Sequence, residues 1–137
     1  MKLLLNTDGG SRGNPGPAAY GYVIQDITSG AGKILEKCGN YLGVTTNNQA
    51  EYAGLINGLK WVVKNHRDTY LRVQMDSLLI VSQVKGDYKV KHPDILPRYL
   101  EAMDLLSKLK SYTILYVPRA ENALADSLVN DALDSQI

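Results

Sequence analysis

The start of the chain constrains its fold most, because an apolar strand leads directly into an aspartate and a glycine-rich segment. Leu3, Leu4 and Leu5 form an unbroken apolar run, which is typical of a strand buried on both faces. Asp8 follows, and residues 9–17 read Gly-Gly-Ser-Arg-Gly-Asn-Pro-Gly-Pro. This order predicts a carboxylate at the end of a strand, followed by glycines that let the backbone approach whatever the carboxylate binds.

Three further acidic residues, Glu51, Asp76 and Asp126, each stand where an apolar segment meets a polar turn or a helix start. Two divalent ions held about 4 Å apart by carboxylates can activate water and stabilise the leaving oxygen in phosphodiester cleavage. Magnesium suits such a site because it takes oxygen ligands. We therefore predict that Asp8 and these three residues converge on one metal site that cuts a nucleic-acid backbone.

Each of the four residues also has an ordinary explanation. An aspartate that ends a strand is usually a turn residue or a helix cap, which applies to Asp8 and Asp76. Glu51, expected in the first turn of a helix, would favour the helix dipole without any function. Asp126 would normally belong to a solvated helix face. Spacing alone does not separate these explanations from a metal site.

Composition bounds the class of protein without naming a partner. The 137 residues are 45% hydrophobic and 21% charged, which predicts one soluble globular domain over residues 1–137. The net charge of +1 gives no sign of a nucleic-acid binder, so any such surface must come from the distribution of charge. Cys38 is the one cysteine, and no apolar run reaches the length of a membrane span. We expect a cytoplasmic monomer with no membrane partner.

The pattern of apolar residues predicts five strands and four helices, with hairpins first and alternating helices and strands afterwards. This order indicates an α/β fold with a mixed sheet and helices on its faces. Gly54 and Gly58 lie inside the first long helix and predict that it packs close to the sheet. The predicted strands cover residues 2–8, 18–26, 33–41, 70–75 and 112–117. The first predicted helix follows capping residues in the segment 43–51 and runs to about residue 65, and the others cover residues 77–84, 94–109 and 123–133.

Four local strings, taken in order, closely resemble the signature segments of type 1 ribonuclease H. The resemblance implies the ribonuclease H fold, a five-stranded mixed sheet in the order 3-2-1-4-5 flanked by helices. It implies endonucleolytic hydrolysis of the RNA strand of an RNA–DNA hybrid, leaving 5′-phosphate and 3′-hydroxyl ends. The strings are Thr7-Asp8-Gly9-Gly10-Ser11-Arg12-Gly13-Asn14-Pro15-Gly16, Thr46-Asn47-Asn48-Gln49-Ala50-Glu51, Asp76-Ser77 and Asn122-Ala123-Leu124-Ala125-Asp126.

The same resemblance assigns roles to individual residues. Asp8, Glu51, Asp76 and Asp126 would be the catalytic metal ligands for two Mg²⁺ ions, with Mn²⁺ as the alternative, and Asp8 would bridge both. Thr46 would contact a phosphate of the DNA strand. For Asn47 and Asn48, helix capping is the competing and compatible explanation. The residues implied along the minor groove near the cut, where 2′-hydroxyls distinguish RNA, are Gly9, Ser11, Asn14, Asn47, Asn48 and Gln49.

Two departures from the family pattern affect these implications. Many members carry a histidine in the loop before the last aspartate, whereas residues 117–122 contain none. Arg119 is the replacement candidate there, and we predict it as a substrate-binding residue, because it can neutralise a phosphate but cannot act as a base near neutral pH. Many bacterial members also carry a basic handle, which is missing between residues 85 and 93. The lysines of that loop are either a reduced handle or a solvated surface.

Three functions remain open from the sequence. A metal-dependent ribonuclease H is the leading hypothesis. The second is a weakly active or inactive module that binds hybrids or double-stranded RNA, motivated by the missing histidine. A resolvase or integrase of the same fold is the third, and the asparagine-rich segment before Glu51 favours 2′-hydroxyl recognition over it.

Overall fold

The computed structural model describes residues 1–136 and shows the predicted α/β architecture. Its five strands form one sheet in the order β3-β2-β1-β4-β5, as the resemblance implied. The first three strands pair antiparallel, and β1, β4 and β5 pair parallel. The elements are β1 Lys2–Ser11, β2 Gly16–Asp26, β3 Lys33–Thr45, α1 Asn47–His66, β4 Tyr70–Met75, α2 Leu78–Lys85, α3 Leu96–Ser107, β5 Ser111–Tyr116, a 3₁₀ turn Arg119–Asn122 and α4 Ala123–Asp134.

The first three strands are longer than the sequence predicted, and this changes the place of Asp8. The prediction that Asp8 ends its strand is wrong, because β1 continues to Ser11 and pairs with β2 as far as Ala18. Pairing of β1 with β4 instead ends at Asn6 opposite Gln74. Asp8 therefore lies within a strand, just beyond the point where one of its two neighbouring strands ends.

The helices cover both faces of the sheet. Alternate residues of β2 point to opposite faces, so Tyr20, Tyr22 and Ile24 join the large core with α1, α2 and α3. Ala19 instead joins a smaller cluster with Val129 and Leu133 of α4. The sheet centre is thus enclosed between α1 and α4, and both helices carry acidic residues toward the same end of β1.

The close approach of α1 to the sheet depends on two glycines, as predicted. A Cβ at Gly54 would lie 2.5 Å from Thr7 Oγ1 and 2.6 Å from the carbonyl oxygen of Asp8. A Cβ at Gly58 would lie 2.7 Å from a methyl group of Leu5. Alanine at position 54 would push α1 away from β1 because its Cβ would overlap backbone, whereas alanine at position 58 would require the Leu5 side chain to shift.

Within residues 1–136, no helix combines the length and the apolar character that crossing a membrane requires.

Candidate functional site

Three carboxylates meet at the centre of the sheet. Asp8 lies in β1, Glu51 in α1 and Asp76 directly after β4, and one oxygen from each lies within 4.8 Å of the others. The parallel register explains the first pair, because Asp8 and Asp76 each follow the last paired residues of β1 and β4 by two positions. Glu51 completes the cluster from above the strands. We call these residues the acidic triad.

Glycine at position 9 allows α1 to approach β1 closely enough for Glu51 to reach Asp8 and Asp76. A Cβ on Gly9 would lie 2.2 Å from the carbonyl carbon of Ala50, which is backbone that cannot move aside. The Gly9 N–H also donates to Asp8 Oδ1 at 2.9 Å and fixes that carboxylate. Glu51 is the fifth residue of α1, so the expectation that it lies in the first turn is wrong. The second turn is the part of the helix that crosses β1.

Burial and mutual repulsion raise the pKa of two members of the triad, Asp8 and Glu51. Asp8 is 5% exposed and Glu51 is 7% exposed. Burial, reinforced by the charge of Asp76, raises the pKa of Asp8 from 3.8 to about 8. Burial and the charges of Asp8 and Asp76 raise the pKa of Glu51 well above its usual value. The metal-free protein therefore holds these carboxyl groups close together against an electrostatic cost.

The donor set of the triad fits a divalent cation with a preference for oxygen. Glu51 Oε2 is buried and has no hydrogen-bond partner among the described residues. A buried carboxylate oxygen without a partner is costly, and a cation would satisfy it. All three side chains offer oxygen ligands, which suit Mg²⁺ or Mn²⁺.

Asp126 lies beside the triad but is not part of that cluster. It is in the first turn of α4 and lines the same cleft as the triad. Its charge and its hydrogen-bonding contact also raise the pKa of Asp8, so the two carboxyl groups are neighbours. Asp126 Oδ1 accepts from Arg119 Nη2 at 3.2 Å, and Oδ2 accepts from Asn130 Nδ2 at 3.5 Å. Asp126 is thus oriented by its own helix and by the 3₁₀ turn before it.

A buried asparagine that the sequence prediction left without a role supports Asp76. Asn122 is 1% exposed, and its Nδ2 donates to the carbonyl oxygen of Thr7 at 2.9 Å and to Asp76 Oδ1 at 3.2 Å. Its Oδ1 accepts from Asn6 Nδ2 at 3.1 Å. The available sequence signal was Asn6 itself, a polar residue directly after the three leucines of β1. The network joins β1, the end of β4 and the start of α4.

The predicted substrate-binding residues are divided between two cavities on either side of the α1 N-terminus. Lys89, Lys91 and His92 also line the second cavity, which places part of the basic loop near these residues. Gly9, Ser11, Asn47 and Arg119 line the acidic cleft, and Asn14, Thr46, Asn48 and Gln49 line the second cavity.

Several of these polar side chains make contacts within the protein. Asn14 Oδ1 accepts from the Asn47 N–H at 2.9 Å, and Asn47 Oδ1 accepts from the Ser11 N–H at 3.1 Å. Gln49 Nε2 donates to the carbonyl oxygen of Asp94 at 2.8 Å. Thr46 caps α1, because its hydroxyl accepts from the Gln49 N–H at 3.2 Å. These bonds hold the loops around the α1 N-terminus in fixed positions.

Neither histidine lies in the acidic cleft as the structure describes it. His92 is exposed beside the second cavity, and His66 is half-buried against Trp61 at the end of α1. Arg119 is the residue that the loop before Asp126 offers instead, with its side chain 75% exposed.

Comparison with known proteins agrees with this geometry. The family profile described as "Reverse transcriptase-like" matches residues 6–132. The bifunctional protein Rv2228c of Mycobacterium tuberculosis is 47% identical over 135 residues, which cover 98% of this chain and 36% of that protein. The chain thus spans about a third of the length of this relative.

Two solved structures match over nearly their whole length. Ribonuclease H1 from the archaeon Halobacterium salinarum is 38% identical, with a TM-score of 0.91 over 98% of this chain and 99% of that one. LC11-RNase H1, isolated from compost by a metagenomic approach and solved in complex with an RNA/DNA hybrid, is 39% identical, with a TM-score of 0.90 over 98% of each chain. The acidic triad on this fold, together with these matches, shows that the chain belongs to the type 1 ribonuclease H family.

Proposed function

We propose that this chain is an endonuclease that hydrolyses the RNA strand of RNA–DNA hybrids and leaves 5′-phosphate and 3′-hydroxyl ends. The acidic triad carries the proposal, since three carboxylates within 4.8 Å of one another include a buried oxygen with no protein partner. Family membership supports the reaction class, and the hybrid bound to LC11-RNase H1 supports the choice of substrate.

The residues that would hold divalent ions are Asp8, Glu51, Asp76 and Asp126. The family resemblance assigns two Mg²⁺ ions to them, with Mn²⁺ as the alternative, and assigns Asp8 to both. When bound, the ions supply Lewis-acid activation of the attacking water and neutralisation of the leaving 3′-oxygen. Asn122 contributes by holding Asp76 Oδ1 at 3.2 Å, so that the carboxylate faces the cleft without rotating.

Recognition of the RNA strand would come from the groups beside the triad. Gly9 and Ser11 follow Asp8 along β1, and together with Asn47 they line the acidic cleft. Backbone N–H groups, hydroxyls and amides can bond to a 2′-hydroxyl, which DNA lacks. Thr46 lines the second cavity, and a phosphate of the uncut DNA strand would lie there. The α1 N-terminus separates the two sites and adds its positive dipole to both.

A strand-specific cleavage assay tests the proposal. Purified protein is incubated with end-labelled RNA–DNA hybrid, double-stranded RNA, double-stranded DNA and branched DNA, each with Mg²⁺, with Mn²⁺ and with EDTA. We expect cleavage of the RNA strand of the hybrid, dependent on a divalent ion, and no cleavage by Asp76→Asn. Binding of hybrid without cleavage in either metal would support a binding module instead, and cleavage of branched DNA alone would support a resolvase.

Analysis of the product ends tests the finer part of the proposal. The 3′ fragment is expected to accept no label from a kinase until a phosphatase has removed its 5′-phosphate. The 5′ fragment is expected to be extended by a polymerase from its 3′-hydroxyl. A 2′,3′-cyclic phosphate would contradict attack by water, because that product requires attack by the neighbouring 2′-hydroxyl of the RNA.

A further inference from the structure

Among the described residues that line the acidic cleft, the cationic ones are two arginines. Arg119 was predicted as a substrate contact, but Arg12 was not. Arg12 is the first residue after β1 and begins the loop to β2. It therefore reaches the cleft from a different element than the 3₁₀ turn that carries Arg119. A polyanion entering a cleft with four acidic residues needs cationic groups at its rim.

The present partner of Arg12 does not commit it to a structural role. Arg12 Nη2 lies 2.6 Å from Asp134 Oδ1 at the end of α4, and the two side chains are 46% and 60% exposed. Exposed ion pairs of this kind contribute little to stability. A phosphate can therefore replace Asp134 at low cost, and a guanidinium can bind two phosphate oxygens at once.

The two arginines are spaced along α4 by their partners. Arg119 pairs with Asp126 in the first turn of this helix, and Arg12 pairs with Asp134 at its last residue. At the usual rise per residue these two partners are separated by about 12 Å along the helix axis. Both arginines line the cleft that contains the triad, so phosphates at two positions along a bound strand would each have a guanidinium within reach.

We propose that Arg12 is a further substrate-binding residue, whose guanidinium leaves Asp134 to bind a phosphate of the RNA strand in the acidic cleft. The inference rests on the proposed function, since it needs a nucleic-acid strand in that cleft. It extends the cationic side of the site from one arginine to two. It also gives Asp134 a role, which is to hold the Arg12 guanidinium at the rim of the cleft while no substrate is bound.

The alternative for Arg12 is a purely structural one, in which its ion pair fastens the loop to α4. The two partners of the ion pair distinguish these roles because the roles predict opposite effects of Asp134→Asn. If Arg12 binds phosphate, removing Asp134 frees the guanidinium and hybrid affinity stays equal or rises. If the pair only fastens the loop, Arg12→Ala and Asp134→Asn weaken the protein in the same direction and by similar amounts.

The experiment measures hybrid affinity by fluorescence anisotropy in EDTA at several salt concentrations, and KM and kcat for cleavage in Mg²⁺. For Arg12→Ala we expect about a tenfold rise in Kd and KM with kcat within about twofold, and a salt slope smaller by about one. Asp134→Asn is expected to leave Kd unchanged or lower. Arg72→Ala removes an exposed arginine of β4 that does not line the cleft, and it is the matched control for lost charge.

Two outcomes would overturn the proposal for Arg12. One is Kd and salt slope unchanged in Arg12→Ala, and the other is a parallel rise in Kd for Arg12→Ala and Asp134→Asn with parallel losses of thermal stability. Failure of the proposed function is separate, because it would be seen as wild-type protein that does not cleave hybrid. The binding measurement in EDTA still decides the role of Arg12 in that case.

Discussion

The two ends of the acidic cleft are built differently. The triad is carried by the central strands and the longest helix, and two of its residues, Asp8 and Glu51, are buried while Asp76 is half-buried. Asp126 and Arg119 lie on the 3₁₀ turn and the first turn of α4, and they already pair with each other in an exposed position. The buried end is fixed by the packing of the core, whereas the exposed end can exchange partners at little cost. The triad is thus suited to provide fixed ion ligands, and the end that carries Asp126 and Arg119 is suited to respond to substrate.

The largest expected effect is the difference in catalysis between these two ends. Asp8→Asn is expected to lower hybrid cleavage by roughly 10³-fold or more, since a lost triad ligand removes several kcal/mol of transition-state stabilisation. Asp126→Asn is expected to lower it by only about 10- to 100-fold, because this fourth proposed ligand lies half-buried beside the triad and contributes less transition-state stabilisation. Single-turnover cleavage with saturating enzyme measures both. Equal losses in the two variants would remove the distinction between the ends.

The second effect concerns how the triad is brought together. Gly9→Ala is expected to destabilise the fold by about 3 kcal/mol or more, because the new Cβ would overlap the backbone of α1. Gly10→Ala is the matched control, since its Cβ would meet Asn47 Oδ1 at an ordinary 3.7 Å. We expect it to change stability by less than about 1 kcal/mol. Urea unfolding of both variants measures the difference, and similar losses would contradict a close contact specific to position 9.

The third effect is the pH dependence of stability in the metal-free protein. The pKa of Asp8 is 3.8 when unfolded and about 8 when folded, so the folded state binds more protons between these values. The contribution of Asp8 to the free energy of unfolding is therefore fully present below about pH 4 and is lost as the pH rises toward 8. Asp8→Asn cannot ionise, and at pH 8 we expect it to be more stable than wild type by about 2 to 4 kcal/mol.

Thermal melts in EDTA from pH 5 to pH 8.5 measure this effect. The melting temperatures of wild type and Asp8→Asn are expected to diverge as the pH rises, and the burial of Glu51 leaves a smaller slope in the variant. Addition of Mg²⁺ is expected to narrow the gap by stabilising wild type alone. A variant that melts below wild type across the range would contradict a repulsive cluster at Asp8.

The smallest effect is at the connection between the two ends. Asn122→Ala removes the donor to Asp76 and to the Thr7 carbonyl, and we expect a loss of about 1–3 kcal/mol because buried acceptors lose their partner. Asn130→Ala is the control, since its 3.5 Å contact with Asp126 is only partly buried. Chemical unfolding separates the two variants, and a neutral Asn122→Ala would show that the network is dispensable.

Much of the buried end was predictable because it depends on local patterns. The helical spacing of the apolar residues between positions 55 and 63 predicted α1, and the predicted bounds of β4 agree with the structure. The sequence strings carried the resemblance that implied the strand order. The extension of β1 past Asp8 was missed because it depends on pairing with β2, and glycines near a polar segment favour a loop when no partner strand is known.

The connections between distant segments were not predictable. Asn122 bonds to Thr7 from 115 positions away, and nothing in the local sequence specifies which way a buried amide points. Arg12 reaches Asp134 across 122 positions for the same reason. The division of the substrate-binding residues between two cavities likewise follows from the placement of the α1 N-terminus over the sheet. These features come from tertiary packing, whereas the motifs that frame them are local.

Proton release on metal binding tests the central claim most directly, namely that the triad is an ion site held together against an electrostatic cost. Mn²⁺ is titrated calorimetrically into wild type and Asp8→Asn at pH 7 in two buffers of different ionisation enthalpy. Because the pKa of Asp8 is about 8 in the metal-free fold, wild type is expected to release close to one proton or more per binding event. Asp8→Asn is expected to bind Mn²⁺ much more weakly. Tight binding by wild type without proton release, or equal binding by Asp8→Asn, would contradict the account.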